Sequence, residues 1–463
     1  MKGTEDTYTH AIRVDTNTCI GCSHCMRVCP TQAIRIVDGH AEIQARRCVD
    51  CGECFRVCPV SAIYVKADEL DMINGFDVRV ALIPSVFIGQ FPAKCTTTDI
   101  INAIHQLGFH HVFEVEHAAD YIKKRYQEHS QQARQKPAIS SYCPAVVRLI
   151  QVMFPSLTSN ILQIKAPHDL AALYYRDLLR ENMDKETGKV GVFYFTPCAS
   201  KIVAAKEPVG EEESCIDGAL SMEYMYNAVF RILMDIDESE CLIDKVDMSS
   251  DAVKWSLNGT EKKYYPGRGL SIDGMSNNIE FLEKLESGEI SDVDFLELRA
   301  CDQGCAGGIL CPANRFLTVE RLDSRREYFD RMAAKDRISN PVLEKAEFLS
   351  DKDGTERVLP RSGMALDEDL DKAMHKMDKM EKMLAYLPGF DCGACGAPTC
   401  KALAEDIASD KASLSHCVFV QRVMEKNYKL SPDQAFLIIE KIWGKNRLEK
   451  YKHEGKDESQ KTD

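Results

Sequence analysis

KPAISSYCPAVVRLIQVMF, residues 136–154, changes character in its middle. A short apolar stretch runs into Tyr142, a single cysteine follows at Cys143, and Pro144 opens a run whose apolar residues recur at helical spacing. Proline suits the first position of a helix, where its missing N–H costs nothing, so Cys143 is placed at the N-cap. Similar apolar runs recur at 78–85 (VRVALIPS), 110–116 (HHVFEVE), 189–195 (KVGVFYF) and 292–300 (DVDFLELRA). Several lead into helix-like segments, such as ASKIVAAKE at 199–207. Strands alternating with helices predict an α/β core with parallel sheets over residues 76–345.

The whole chain has 463 residues, too many for one ordinary core, so several domains are expected. Its 44% apolar and 28% charged residues are ordinary for a globular protein. A net charge of −14 argues against non-specific nucleic-acid binding. The start, MKGTEDTYTHAIRVD, lacks the apolar core of a secretory signal. The most apolar segment, VRVALIPSVFIGQF (78–91), is broken by Pro84 and Gly89 and is too short to span a bilayer. These features predict a cytoplasmic protein without a membrane span. In that compartment 20 cysteines mean metal or redox chemistry rather than disulfides.

Residues 1–75 carry two matching blocks, CIGCSHCMRVCP (19–30) and CVDCGECFRVCP (48–59). Each reads C-x2-C-x2-C-x3-C-P. In this spacing three close thiolates wrap one face of a cubane, and the fourth, ahead of proline, reaches across to the other cluster. One [4Fe-4S] cluster is therefore expected on Cys19, Cys22, Cys25 and Cys58, and another on Cys48, Cys51, Cys54 and Cys29. Zinc is the alternative, and the duplicated four-cysteine spacing argues against it. The stretch resembles a bacterial two-cluster ferredoxin, which implies a small α+β domain that relays electrons.

At the other end, FDCGACGAPTCKALAEDIASDKASLSHC (390–417) supplies Cys392, Cys395, Cys400 and Cys417. Gly393 and Gly396 are expected to let the backbone approach a cluster closely. The residues between Cys400 and Cys417 are expected to form a helix that returns the last ligand. The stretch resembles the small four-cysteine iron–sulfur domain of electron-transport and corrinoid proteins, which implies a third accessory [4Fe-4S] cluster. On the residues alone structural zinc is its rival. Residues 388–463 are thus expected to be a small helical iron–sulfur domain ending in a disordered tail, EGKDESQKTD. Before it, 346–387 reads as a charged helical linker, and few core contacts should cross its charged stretch 346–380. Within it LDEDLDKAMHKMDKMEKMLAYL (366–387) predicts an amphipathic helix with Leu366, Leu370, Met374, Met377, Met380, Met383 and Leu384 along one face.

The remaining cysteines are Cys95, Cys143, Cys198, Cys215, Cys241, Cys301, Cys305 and Cys311. Cys143, Cys198 and Cys301 each follow the C-terminal end of an apparent strand, and Cys305 comes four residues after Cys301. Ligands of open α/β sheets bind at that end, and a helix N-terminus favours the thiolate that binds metal. Either three strand ends deliver four thiolates to one point, or these are inert buried cysteines.

SSYCPAVV, TPCASK and LRACDQGCAGG are similar, in that order, to the three signature segments of the [FeFe]-hydrogenases. With the ferredoxin-like front, the likeness covers residues 12 to about 320. The resemblance implies an H-cluster: a [4Fe-4S] cubane joined through a cysteine sulfur to a diiron subcluster carrying CO, cyanide and a bridging dithiolate. By position, Cys143, Cys198, Cys301 and Cys305 would hold the cubane, and Cys305 would be the bridging thiolate. Lys201 matches the family lysine that pairs with a cyanide, where a cation is physically sensible. Its alternative is a solvated charge on the first turns of a helix. The implied partners are H2 and protons, a redox partner such as ferredoxin or a signalling protein, and H-cluster maturation proteins. Cys95, Cys215, Cys241 and Cys311 are left as non-ligands.

The sequence also departs from the family. Efficient H2 producers carry a proton-bearing cysteine where this chain has Tyr142. The lysine segment of the family starts with Met and carries a Glu six residues after its Cys, whereas here those positions are Thr196 and Ala204. The third segment continues as GGILCPANRF rather than as a glycine-rich turn. The iron scaffold is kept and the proton path is not, as in the sensory branches of the family. Three readings follow: a slow or sensory hydrogenase, an efficient one with another proton route, and an iron–sulfur scaffold without a diiron unit. Lys201 and the C-terminal module favour the first two.

Overall fold

The computed structural model describes residues 10–132, 135–182, 188–235, 247–333, 340–367, 369–445 and 447. The polar tail and Cys241 lie outside them. The N-terminal region is built from β1 (Ile12–Val14), β2 (Ile34–Val37), β3 (His40–Ile43) and β4 (Ile63–Val65). β1 pairs antiparallel with β4, and β2 with β3. Between the strands each cysteine block winds into a short helix, His24–Val28 and Glu53–Arg56. Elements this short bury little apolar area, so the cysteines Cys25 and Cys54 are themselves part of the interior.

The central region is an α/β structure with two parallel sheets. Its strands are β5 (Val78–Ile83), β6 (His111–Glu114), β7 (Ala138–Ile139), β8 (Val190–Thr196), β9 (Gly218–Ser221), β10 (Gly269–Asp273) and β11 (Phe295–Arg299). One sheet has the order β6-β5-β8-β9 and the other β10-β11-β7, all pairs parallel. β8 (VGVFYFT) is buried along nearly its whole length because helices cover both faces of its sheet. Phe87, Phe109, Phe193 and Phe195 interlock edge to face behind it. Five of these strands correspond to the apolar runs of the sequence. β9 (GALS) and β10 (GLSID) were not anticipated, because short strands containing Gly, Ser and Asp lack a continuous apolar signal.

The expectation that few core contacts would cross residues 346–380 is not met. Residues 353–363 form a strap along the central region. Asp353 is buried, accepts a hydrogen bond from the Tyr121 hydroxyl at 2.6 Å, and is ion-paired with Arg125. The backbone N–H of Glu356 donates to the Gly210 carbonyl at 2.8 Å, and that of Arg361 to the Gln151 carbonyl at 3.0 Å. The predicted amphipathic helix is present at Leu370–Leu384. Only the C-terminal part of its apolar face packs: Met380 and Met383 meet Leu387 and Leu403, while Leu370, Met374 and Met377 are exposed.

The C-terminal module consists of the helices Cys400–Ala408, Val418–Lys426 and Pro432–Trp443, and it packs on the N-terminal strands. The N–H of Ile36 donates to the Gly396 carbonyl at 2.8 Å, and that of Gly39 to the Ile442 carbonyl at 2.9 Å. A Cβ at Gly396 would lie 2.5 Å from the Ile36 carbonyl oxygen, and the residue has φ +78°. Glycine is therefore required there by a neighbouring strand rather than by a cluster alone. Two buried ion pairs, Arg35–Asp406 at 2.6 Å and Arg47–Glu405 at 2.9 Å, complete the contact.

Candidate metal centre

The N-terminal thiols fall into two groups. Cys19, Cys22, Cys25 and Cys58 line one small cavity, and Cys29, Cys48, Cys51 and Cys54 line another. Each block thus sends its last cysteine to the other group. Burial pushes the Cys25 thiol up to about 12, and Cys22, Cys19 and Cys58 push the same way. Cys51 is raised by burial and then by Cys29. Every described cysteine is free. Buried thiols crowded in this way hold their protons unless a cation takes their place, which is the chemistry of a metal site.

In the C-terminal module the Thr399 hydroxyl caps the helix that starts at Cys400, accepting from the Ala402 N–H at 3.0 Å. That helix ends at Ala408, earlier than the sequence suggested, because Asp410 adopts φ +58°. A short turn at Leu414–His416 then returns Cys417. Burial raises Cys395 to about 11, with Cys392 and Cys417 adding to it. Cys392 is exposed.

The middle cysteines come from three strand ends. β7 leads to Cys143, which stands at the N-cap of the helix Pro144–Met153. β8 leads to Cys198, at the N-cap of the helix Ala199–Lys206, where its N–H donates to Thr196 Oγ1 at 3.3 Å. β11 leads to Cys301. The chain then reverses through left-handed Gln303 and Gly304, and the Cys305 N–H is held by the Ser256 carbonyl at 2.9 Å. A Cβ at Gly304 would lie 2.6 Å from that same carbonyl, so only glycine fits the turn. Cys198 is raised to about 11 by burial, with Cys305 and Cys143 adding to it and Lys201 opposing. Cys301 is raised by burial and by Cys198, Cys143 and Cys305. The four thiols therefore lie within electrostatic reach of one another.

Lys201 is buried, not solvated. Burial alone would lower its ammonium, but Cys305, Tyr142, Tyr194 and Cys198 hold it well above its ordinary value. Its Nζ donates to the Tyr194 hydroxyl at 3.4 Å and sits 4.3 Å from the Tyr142 ring centroid. Tyr142 is 4% exposed, and its hydroxyl lies 3.6 Å from Cys305 Sγ. A second cation, the Arg299 guanidinium, is 4.2 Å from the same ring. Arg299 in turn pairs with buried Glu261 at 3.3 Å and Glu297 at 3.6 Å. Two cations on one ring explain why an aromatic residue stands beside the cysteine.

Sequence reasoning overlooked Arg299, Glu261, Glu297, Tyr194 and Arg56. Arg56, from the second cysteine block, donates to the Gly307 carbonyl and lowers the Cys301 thiol against its burial. Cys311 lies near Cys305, Cys301 and Cys198. Its Sγ donates to the Cys305 carbonyl at 3.3 Å, as a protonated thiol does. Cys95 lines a separate cavity and Cys215 packs in a different cluster behind β8.

The fold and its thiol groups define an iron–sulfur protein. Residues 11–59 match the family model of the 4Fe-4S dicluster domain, and residues 387–419 that of a putative Fe-S cluster. Residues 78–250 match the C-terminal domain of the iron only hydrogenase large subunit. The chain is a hydrogenase-like iron–sulfur protein with accessory iron–sulfur domains. It is 26% identical over 111 residues to human nuclear prelamin A recognition factor, covering 22% of this chain and 24% of that protein. It is 37% identical over 78 residues to an uncharacterized protein of Methanocaldococcus jannaschii, covering 16% and 33%. The chain thus spans about a quarter to a third of these relatives. A solved variant of [FeFe]-hydrogenase HydA1 from Chlamydomonas reinhardtii superposes with TM-score 0.46 at 15% identity, covering 62% of this chain and 94% of that one. Among the described residues no helix is long and apolar enough to cross a membrane.

Proposed function

We propose that this chain holds an H-cluster on Cys143, Cys198, Cys301 and Cys305, and that it binds H2 there and turns it over slowly in a sensory or regulatory role. The observation that carries the reading is the meeting of four partly buried thiols beside one buried, protonated Lys201. A structural zinc site gains nothing from a fixed ammonium next to a dication. Anionic diiron ligands do. In this reading Cys305 is the bridging thiolate, the Lys201 ammonium pairs with cyanide, and Tyr142 closes the site against Cys305. When bound, the diiron subcluster with CO, cyanide and bridging dithiolate supplies reversible splitting of H2 into protons and electrons.

Residues 1–75, 76–345, 346–387 and 388–463 serve as the ferredoxin-like, H-cluster, connecting and C-terminal cluster units. Three accessory [4Fe-4S] clusters occupy Cys19, Cys22, Cys25 and Cys58; Cys48, Cys51, Cys54 and Cys29; and Cys392, Cys395, Cys400 and Cys417. Contacts support a relay through them. The Arg56 contact sets the second block against the Cys301–Cys305 loop, and the Ile36–Gly396 hydrogen bond sets the C-terminal module against the N-terminal strands. A ferredoxin or signalling protein is the redox partner, and maturation proteins install the diiron unit.

Infrared spectroscopy on matured protein tests the reading, because only a diiron unit supplies CO and cyanide bands. Their absence leaves the scaffold reading. Iron content gives a second test. Protein reconstituted without the diiron unit is expected to hold about 16 iron atoms, at four per cubane, and matured protein about 18. A plateau near 12 removes one cluster.

Tyr142→Cys is expected to raise H2 evolution with a viologen donor. A phenol is ordinarily ~1.5 pKa units less acidic than a thiol, a handicap of roughly thirtyfold for a proton carrier at neutral pH. The gain is expected to stay below that, because Ala204 supplies no acid further along and the variant loses both ring contacts with Lys201 and Arg299. A wild type already as fast as efficient hydrogenases would sink the slow reading.

A further inference from the structure

Two buried carboxylates lie beside the site with no part in holding metal. Glu114 ends β6, and Glu116 lies in the turn that leads into the next helix. One serine holds them together. The Ser85 hydroxyl donates to Glu114 Oε1, and the Ser85 N–H donates to Glu116 Oε2 at 2.7 Å. Glu114 is 8% exposed and Glu116 1%. Arg325, from the helix Arg315–Ala333, clamps Glu114 with both guanidinium nitrogens, at 2.6 and 2.8 Å.

We propose that Glu114 and Glu116 form a carboxylate dyad that stores one exchangeable proton between the Lys201 edge of the hydrogen site and the cavity at Arg325. The proposal rests on the H-cluster reading only for what the proton serves. The dyad itself stands on the chain's own geometry.

Burial and the like charge of its neighbour favour a proton on the pair. Two carboxylates on one serine repel each other, and the guanidinium that neutralises one of them is committed to Glu114. Besides Glu114, the charges of Lys201, Tyr142 and Tyr194 are within electrostatic reach of Glu116. Beside Glu114 stands His117, whose Nε2 is engaged by Asp247 at 2.7 Å. Burial first, and then Glu114, push Glu116 up to about 8, against the Ser85 N–H, its own N–H and then Lys201. Glu116 is therefore the member of the pair expected to carry the proton at neutral pH.

The dyad has two sides. Toward the site, Tyr142, Tyr194 and Lys201 all sense the charge of Glu116. Away from it, Arg325 lines a cavity of about 360 Å³ together with Phe91, Arg321 and Tyr328. A hydronium ion in that cavity loses one O–H bond as a carboxylate oxygen gains one, leaving water, and release of the proton to a water reverses the exchange. No electron moves. Tyr142 and Ala204 stand where the family's proton carriers are missing, and the dyad lies at neither position. It gives this chain a proton store of its own.

Infrared difference spectroscopy across neutral and alkaline pH tests the dyad in the full chain reconstituted with cubanes and lacking the diiron unit. A protonated-carboxyl stretch is expected at pH 7, disappearing as the pH passes about 8. Glu116→Gln, which keeps an oxygen for the Ser85 N–H, is expected to remove it. Glu114→Gln removes the like charge and is expected to move its loss to lower pH. Arg325→Gln removes the compensating cation and is expected to move it to higher pH. Asp169 and Glu297 are also raised, so the dyad's band is the one that differs between wild type and Glu116→Gln; no such difference at pH 7, or one that ignores both flanking variants, overturns the proposal. In matured protein Glu116→Gln is expected to slow H2/D2O exchange at least tenfold with CO and cyanide bands intact. Unchanged exchange would refute the dyad's link to the site. Missing CO and cyanide bands in matured wild type would refute the H-cluster reading and leave the carboxyl band standing.

Discussion

Cys305→Ala is expected to abolish attachment of a diiron unit, with CO and cyanide bands absent from protein matured in the same way as wild type. The Cys305 sulfur stands at the centre of the site's electrostatics. Cys198, Cys301, Cys311, Tyr142, Tyr194, Lys201 and Arg299 all respond to its charge. Its backbone is fixed by Ser256 through a turn that admits only glycine before it, so no neighbouring side chain can take its place. The nearest spare thiol, Cys311, is turned to the Cys305 carbonyl. Alanine at 305 also leaves Lys201 buried without its strongest anionic neighbour, which adds a stability penalty of several kcal/mol to the loss of function. Cys215→Ala is the control. It removes one partly buried thiol behind β8 and is expected to cost about 1 kcal/mol with the bands unchanged. Normal H2 chemistry in Cys305→Ala would overturn the assignment of the site.

What could be read in advance follows the range over which each signal acts. Ligand spacing is local, so the exchange of Cys29 and Cys58 between the two N-terminal groups was written in C-x2-C-x2-C-x3-C-P, and the structure groups the thiols that way. Strands buried on both faces announce themselves as apolar runs, as β5 and β8 do. Arg299 was hidden by the same rule. It ends the run DFLELRA, where Glu297 and Arg299 share one side of a buried strand. Charges spaced by two inside an apolar run signal partners across the core, and Glu114 and Glu116 in VFEVE carry the same mark. The reason for Tyr142 was not local at all. One of its cations comes from the helix after Cys198 and the other from the strand before Cys301. The strap at 353–363 was missed because its contacts are mostly backbone hydrogen bonds, which composition does not report.

Truncation before Pro388 tests the other long-range contact. Read as a sequence, the cut should remove one cubane and leave the H-cluster assembled. The structure adds a cost. Arg35 is 7% exposed and Arg47 3%, and their partners Asp406 and Glu405 both lie beyond the cut. Leaving a buried charge without its partner costs about 3–5 kcal/mol, less where water enters the opened face. The hairpin of β2 and β3 also loses the acceptors at Gly396, Lys441 and Ile442, which uncovers one edge beside the first cysteine block. Truncated protein is therefore expected to hold about four fewer iron atoms. It is also expected to melt at lower temperature and to surrender the iron of its N-terminal clusters faster to a chelator. Asp406→Asn and Glu405→Gln in the full chain separate the two effects, since they weaken the ion pairs and keep the four C-terminal cysteines. They are expected to lower the melting temperature with iron content unchanged. The H-cluster bands should survive in all three variants, because the Arg56–Gly307 contact that joins the N-terminal region to the site lies on its far cysteine block. Truncated protein that matches the full chain in melting and in chelator resistance would show that the two iron–sulfur modules merely touch.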